Sequence, residues 1–111
     1  MSAGNKTAED VRRQNPEALR ALAECLEHAL DRATSVVLIR HVPEMCTVYL
    51  GAPSGAREEL RRVGTISRAL ADEILMLTSS GPNQMQIGDQ RYRFFRAFTQ
   101  VEEVPAVVFA V

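Results

Sequence analysis

Apolar residues recur at helical spacing in the segment that follows Pro16. The repeat is formed by four leucines, with alanines beside them and charged residues on the other faces: Leu19, Leu22, Leu26 and Leu30. Such three- and four-residue steps are typical of an amphipathic α-helix with one buried face. Asn15 supplies a capping oxygen, Pro16 fits the first turn, and Glu17 complements the positive end of the helix. We therefore predict a first helix that begins at residues 15–17.

Two apolar runs of a different period come next. Residues 35–39 read Ser-Val-Val-Leu-Ile without a polar interruption, as in a strand that is covered on both faces. Residues 45–50 alternate between the two sides of a strand, and Pro43 lies between the runs, where its missing amide suits a turn. The sequence thus predicts a β-hairpin whose first strand is central in the sheet.

The middle of the chain changes from loop signals to helix signals. Residues 51–56, Gly-Ala-Pro-Ser-Gly-Ala, predict a loop, and the charged residues 57–62 predict a short solvated helical turn. Thr65 is placed to cap a second helix. The apolar stripe of that helix consists of Ile66, Leu70, Ile74 and Leu77. Residues 79–82, Ser-Ser-Gly-Pro, are expected to end it.

The last third contains a hairpin and a terminal strand. Residues 84–87 and 90–94 alternate around Gly88-Asp89, which fits a two-residue turn with glycine at the positive-φ position. The alternation slips at Phe94-Phe95, so either the strand bulges or one ring covers a second apolar surface. Residues 106–111 are typical of a buried strand.

This element order, α-β-β-α-β-β-β, predicts an α+β fold. We expect an antiparallel sheet of about five strands with two main helices on one side, as in PAS, profilin and roadblock domains, and a second helix that crosses between the sheet halves. A chain of 111 residues is long enough for one domain with its own core. Residues 16–111 are predicted to form that domain, and residues 1–15 a flexible polar tail.

Charge and composition restrict the partners. The chain has 13 basic and 14 acidic residues, and its formal charge is −1. This balance gives no overall field that would attract nucleic acid or an anionic membrane. The first fifteen residues lack the apolar stretch of a signal peptide or a membrane span. We therefore expect a cytoplasmic protein without a membrane span.

The residue sets of common catalytic sites are missing. Lys6 is the only lysine and does not follow a glycine, so the chain has no phosphate-binding loop of the ATPase type. Cys25 and Cys46 lack the spacing of a zinc site, and we expect both thiols to pack as small apolar groups. A reactive Cys25 with His28 on the same side of the helix is the alternative. We predict no catalytic residue, no cofactor and no metal site.

One segment mixes guanidinium groups with aromatic rings. Its arginines are Arg91, Arg93 and Arg96, and its rings are Tyr92, Phe94, Phe95 and Phe98. Arginine and aromatic side chains are favoured in protein interfaces, and the same residue types bind single-stranded nucleic acid through stacking and phosphate contacts. A third interpretation buries Tyr92, Phe94 and Phe98 and leaves Arg91 and Arg93 in solvent. We take the three arginines as candidate partner-binding residues.

The same segment resembles a known family. Residues 91–100, Arg-Tyr-Arg-Phe-Phe-Arg-Ala-Phe-Thr-Gln, and residues 105–109, Pro-Ala-Val-Val-Phe, are similar to the Arg-Phe-Arg, Ala-Phe-Asn-Gln and Ala-Val-Phe-Arg run in the PAS-like N-terminal domain of type II secretion and pilus-retraction ATPases. Residues 33–36 stand where that family has an Ala-Ser-Asp turn, with Val36 in place of the aspartate. Residues 48–51 depart from its Arg-Val-Asp-Gly, and its ATPase core has no counterpart here. The resemblance implies a domain that contacts neighbouring subunits, with Arg91 and Arg93 as contact residues.

These observations favour a non-catalytic protein-interaction or regulatory domain of PAS-like form in secretion or pilus machinery. The expected partner is another protein, such as a secretion-type ATPase, or a second copy of the chain. A small-ligand sensor is the alternative from another class, with Met45, Tyr49, Met76 and Met85 as lining residues. Single-stranded nucleic-acid binding through the arginine-aromatic strand is a further alternative.

Overall fold

Six antiparallel strands form one sheet, and two helices pack on one of its faces. The computed structural model describes residues 16–54 and 57–111, without the side chains of His41 and Arg57. Its elements are α1 (Glu17–Asp31), β1 (Ser35–Val42), β2 (Met45–Gly51), a short 3₁₀ turn (Arg57–Glu59), β3 (Arg61–Ser67), α2 (Arg68–Leu77), β4 (Gly81–Ile87), β5 (Gln90–Val101) and β6 (Val104–Ala110). The α+β class is confirmed, with six strands in the described residues instead of about five. The predicted tail, residues 1–15, and the capping Asn15 lie outside the described residues.

The strands lie in the order β3-β2-β1-β6-β5-β4. β1 pairs with β2 and with β6, so the run of branched residues expected to be central is central. β3 and β4 form the two edges, and α2 carries the chain from one edge to the other across the helical face of the sheet. This course confirms that the second helix crosses between the sheet halves.

The main core lies between α1 and the sheet. α1 contributes its buried side chains Ala18, Leu22, Ala23, Leu26 and Ala29. On the sheet side, Phe94 and Phe109 belong to the same cluster and meet edge to face, with ring centroids 5.8 Å apart. Full burial of a leucine such as Leu22 stabilises the fold by about 1.5–3 kcal/mol. Leu30, the last leucine of the predicted stripe, is instead 51% exposed.

A smaller cluster lies on the other face of the sheet. Its buried members are Val37, Ile39, Leu60, Val101 and Ala106, of which Leu60 comes from the connection between β2 and β3. Gly51 permits this packing, because its φ is +152° and a Cβ on it would stand 2.7 Å from Leu60 Cδ2. On the same face, the alternate residues 82, 84 and 86 of β4 and 91, 93 and 95 of β5 are exposed. This exposed part is referred to below as the open face.

The segment before α2 differs from the prediction. The short helical turn predicted for residues 57–62 is present as the 3₁₀ turn Arg57–Glu59, whereas residues 61–67 form β3 in place of the start of a helix. They pair with β2, and this ladder outweighs the weak helical signal of a short charged segment. α2 begins at Arg68, and Ser67 caps it instead of Thr65, since Leu70 N donates to Ser67 Oγ at 3.1 Å.

Candidate functional site

β5 divides its side chains between the two faces of the sheet. Three side chains on the helical face are buried: Tyr92, Phe94 and Arg96. On the open face Arg91 and Arg93 are exposed, and Phe95 is 53% exposed. The pairing of β5 with β4 and β6 runs through Phe94 and Phe95 without a shift in register. Of the two alternatives for Phe94-Phe95, the structure shows the second: the ring of Phe95 lies on the open face, and the strand does not bulge.

Arg91, Arg93 and Phe95 are referred to below as the arginine patch. Their cross-strand neighbours on the same face are uncharged: Gln86, Gln84, Pro82 and Ala110. Neither guanidinium group has an ion-pair or hydrogen-bond partner within the part of the chain that the structure describes. The patch thus presents two unpaired positive charges beside an exposed aromatic ring.

Arg96, the third predicted contact residue, has a different environment. It is 8% exposed, and its Nη1 lies 2.9 Å from the carbonyl oxygen of Leu75 and 3.0 Å from that of Thr78. Nη1 also lies 2.8 Å from Thr78 Oγ1, and Nη2 donates to Ser80 Oγ at 3.2 Å. These acceptors belong to the end of α2 and its connection to β4, where a cation complements the unpaired carbonyls of a helix. Both terminal nitrogens of Arg96 are thus engaged inside the chain, in contrast to the exposed guanidinium groups of Arg91 and Arg93.

Tyr92 connects β5 to α1 from the buried side of the patch. Its hydroxyl donates to Glu27 Oε2 at 2.5 Å. This hydrogen bond, together with desolvation and the negative charge of Glu27, raises the pKa of Tyr92 to about 12. The bond joins α1 to β5 near the start of this strand, between Arg91 and Arg93, and so ties the backbone of the patch to the core.

An apolar cleft of about 240 Å³ lies beside α2 on the helical face. Leu75 and Phe98 line it, and Phe98 is 61% exposed although it shares this face with Tyr92 and Phe94. The lining also includes Arg40 and Asp72, whose Nη2 and Oδ1 are 3.9 Å apart. Since these charged groups pair with each other, the cleft offers few free polar groups to orient a small ligand.

The four residues expected to line a sensor cavity are dispersed over the molecule. Met76 is 84% exposed on α2, and Met45 is 39% exposed at the start of β2. Tyr49 packs with the smaller cluster, whereas Met85 packs with the main core on the opposite face of the sheet. None of the four lines the cleft beside α2. The structure does not bring the predicted sensor residues together.

The cysteines do not form an activated pair with a base. Burial raises the pKa of the Cys25 thiol to about 11, and the charge of Glu24 adds to the rise, whereas a reactive cysteine needs a lowered pKa. Cys46 is buried, as predicted. Within residues 16–54 and 57–111, no group of three or more His, Cys, Asp or Glu side chains is placed to hold a metal ion. In the same ranges, none of the helices combines the length and the apolar character of a transmembrane span.

Sequence reasoning singled out the arginines and the rings of the segment and missed the glutamines on the neighbouring strand. Gln84 and Gln86 lie beside the patch on the open face. The available signal was the two-residue turn at Gly88-Asp89, because such a turn fixes the register and therefore which residues share a face. Counting back from that turn places Gln86 opposite Arg91 and Gln84 opposite Arg93.

Comparison with protein-family models, with curated proteins and with solved structures gives no match to this chain. The family resemblance of residues 91–109 therefore stays a prediction from the sequence.

Proposed function

We propose that this domain is a non-catalytic protein-interaction domain that contacts its partner through the arginine patch. The observation that carries this proposal is the pair of unpaired guanidinium groups of Arg91 and Arg93 next to the exposed ring of Phe95 on one face of the sheet. Arginine and large aromatic side chains dominate the binding energy of many protein interfaces.

The charge of the patch favours an acidic partner surface. Guanidinium groups attract carboxylates over roughly one Debye length, about 8 Å at physiological salt, and thereby raise the association rate. Phe95 adds apolar area, which contributes about 25 cal/mol per Å² when it is buried. A surface that combines charge with a single ring is typical of a reversible contact, since permanent interfaces are larger and more hydrophobic.

The resemblance of residues 91–109 suggests which partner to test first. In secretion and pilus-retraction ATPases the similar domain contacts neighbouring subunits, so we propose a secretion-type ATPase or another subunit of such an assembly. A second copy of this chain is the other protein partner to be considered. Both predictions can be examined with the same variants.

Charge reversal on the patch tests the proposal. The variant R91E/R93E should lose a partner that co-purifies with the wild-type chain from its native cell after crosslinking. Its thermal midpoint should change little, because exposed charges contribute about 0–1 kcal/mol to stability. The matched control is R61E/R62E, which reverses two exposed arginines on β3 at the far edge of the sheet. Retention of the partner by R91E/R93E, or its equal loss from both variants, contradicts the proposal.

Single-stranded nucleic acid is a second candidate, because an exposed ring beside arginines on an open sheet face is how several modules stack a base. Phe95 is the one exposed ring of the patch, whereas sheet modules that bind RNA stack two or three bases. Binding of a labelled oligonucleotide that falls steeply with salt and is lost in R91E/R93E would favour this function. No binding at low salt would exclude it and leave the protein partner.

A further inference from the structure

The two edge strands of the sheet differ in their protection against pairing with another chain. β3 carries Arg61 and Arg62, and the register of its ladder with β2 shifts next to Val63. Charges and bulges on an edge discourage further pairing. β4 has no charged residue and pairs with β5 in one unbroken register. No described strand pairs with its outer side, so β4 is an open edge.

The two-residue turn between β4 and β5 fixes which backbone groups of β4 face outward. Ile87 and Gln90 flank this turn and form a hydrogen-bonded pair, so alternate residues of β4 bond to β5. The residues between them direct their backbone groups away from β5: Pro82, Gln84 and Gln86. Since Pro82 has no N–H, the outward donors are those of Gln84 and Gln86.

β4 is held in position by contacts at its start. Asn83 Nδ2 donates to the carbonyl oxygen of Ser79 at 2.6 Å, and Ser79 N donates to Asn83 Oδ1 at 2.9 Å. Arg96 donates to Thr78 and Ser80 in the same connection. A strand that is already ordered loses less conformational entropy when a partner binds to it.

We propose that β4 accepts an extended acidic segment of the partner as an additional antiparallel strand. This inference rests on the proposed function, because the arginine patch supplies the recognition of charge. A residue opposite Gln84 on the added strand lies on the open face in line with Arg93, and one opposite Gln86 lies in line with Arg91. Two strand spacings, about 9.5 Å, separate these positions from β5. Arginine and glutamate side chains that lean toward each other span this gap.

The residue between the two acidic positions points to the helical face. It lies beside Met85, which is half-buried against the main core. An aliphatic side chain there extends the apolar surface of the core. The recognised segment is therefore acidic, aliphatic and acidic at three successive positions of a strand.

A second copy of the chain matches this edge less well. The residues of β4 and β5 that point to the open face include no carboxylate. Two copies paired through β4 would place two arginine patches on one continuous face without an opposite charge between them. Like charges on one face destabilise such a pairing, whereas an acidic segment neutralises the patch.

A synthetic peptide of alternating glutamate and valine, seven residues long with blocked ends and a fluorescent label, is the probe. Its binding is measured by fluorescence anisotropy, with a lysine-valine peptide as the charge control. Gln84→Pro removes one outward donor and repeats the arrangement of Pro82, while Gln84→Val keeps the donor. We expect about fivefold weaker binding by Gln84→Pro and an unchanged affinity for Gln84→Val. A peptide that is N-methylated at its glutamates, the residues opposite Gln84 and Gln86, should show a similar loss of affinity without any change to the protein.

The charge-reversal variant distinguishes failure of this inference from failure of the proposed function. R91E/R93E should bind the acidic peptide about tenfold more weakly and should gain affinity for the lysine peptide. If R91E/R93E weakens binding while Gln84→Pro and N-methylation do not, the patch is retained and strand addition is overturned. If neither peptide binds the wild-type chain at millimolar concentration, the proposal that β4 accepts an acidic strand is also overturned. A wild-type dimer in sedimentation that Gln84→Pro converts to monomer would assign the edge to a second copy instead.

Discussion

Replacing Arg96 with methionine tests how the chain fastens α2 to the sheet. Arg96 is the one charged residue that is buried among the described side chains, and the hydrogen bonds of its guanidinium group go to neutral oxygens. Methionine keeps an unbranched apolar stem of similar reach and removes every donor. The perturbation is therefore the loss of the contacts between β5 and the end of α2.

The expected loss of stability follows from the acceptor groups that Arg96→Met leaves without a donor. The carbonyls of Leu75 and Thr78 lose a charged partner, and each unpaired, partly buried carbonyl costs about 1–3 kcal/mol. Part of this cost is offset, because the wild-type protein buries a charge and leaves Arg96 Nε without a partner. We expect the free energy of unfolding to fall by about 2–4 kcal/mol, which is a large fraction of the 5–15 kcal/mol typical of a domain.

Urea unfolding followed by circular dichroism measures this loss. The control is Arg93→Met on the same strand, which removes an exposed guanidinium group and should change stability by less than about 1 kcal/mol. Arg96→Lys keeps the charge without the planar fork and should give an intermediate value. Hydrogen exchange at residues 78–83 should accelerate in Arg96→Met. Equal stabilities of Arg96→Met and Arg93→Met would refute the anchoring role of Arg96.

Three further predictions concern backbone strain and pH. Glu102 and Glu103 have φ of +51° and +71° in a two-residue turn. Replacing them with Asn-Gly should relieve about 1–2 kcal/mol of backbone strain and raise the thermal midpoint. An unchanged midpoint would contradict the presence of this strain. Ala33 follows the C-cap of α1 and has a φ of +52°. Ala33→Gly should therefore stabilise the chain against urea by about 0.5–1 kcal/mol, whereas Ala33→Val should destabilise it. The pKa of Tyr92 is raised to about 12 in the folded state. The protonated Tyr92 hydroxyl therefore stabilises the fold fully below pH 10, and this stabilisation is lost as the pH rises through 12. Unfolding at pH 9 and pH 11.5 should show this loss in the wild-type chain and a smaller loss in Tyr92→Phe.

The elements found from the sequence are those whose side chains have a clear period. α1, the β1–β2 hairpin and the β4–β5 turn have such patterns, and Gly88 has the expected positive φ of 61°. β3 was missed because Arg61, Arg62 and Val63 are all exposed and show no alternation. Its strand conformation depends on pairing with β2, which is a non-local property.

The candidate site shows the same division between local and non-local information. Alternation along β5 is local and separates Arg91 and Arg93 from Arg96, which shares a face with Tyr92 and Phe94. That Arg96 meets the end of α2 is not local, because it depends on where a helix that crosses the whole sheet ends. The chemistry of the three arginines is identical in the sequence, and only their positions relative to the helices distinguish the anchoring role of Arg96 from the binding role proposed for Arg91 and Arg93.

The register of β5 joins the stability of the domain to its proposed function. A slip of one residue would move Arg96 into solvent and Phe95 into the core, because side chains alternate between the faces of a strand. The turn after β5 does not secure this register by its own preference, since Glu102 and Glu103 adopt positive φ at a cost in energy. The bonds of Tyr92 to Glu27 and of Arg96 to α2 form only in the observed register and offset that cost. We therefore expect substitutions on the helical face of β5 to change stability and binding together, and substitutions at Arg91 and Arg93 to change binding alone.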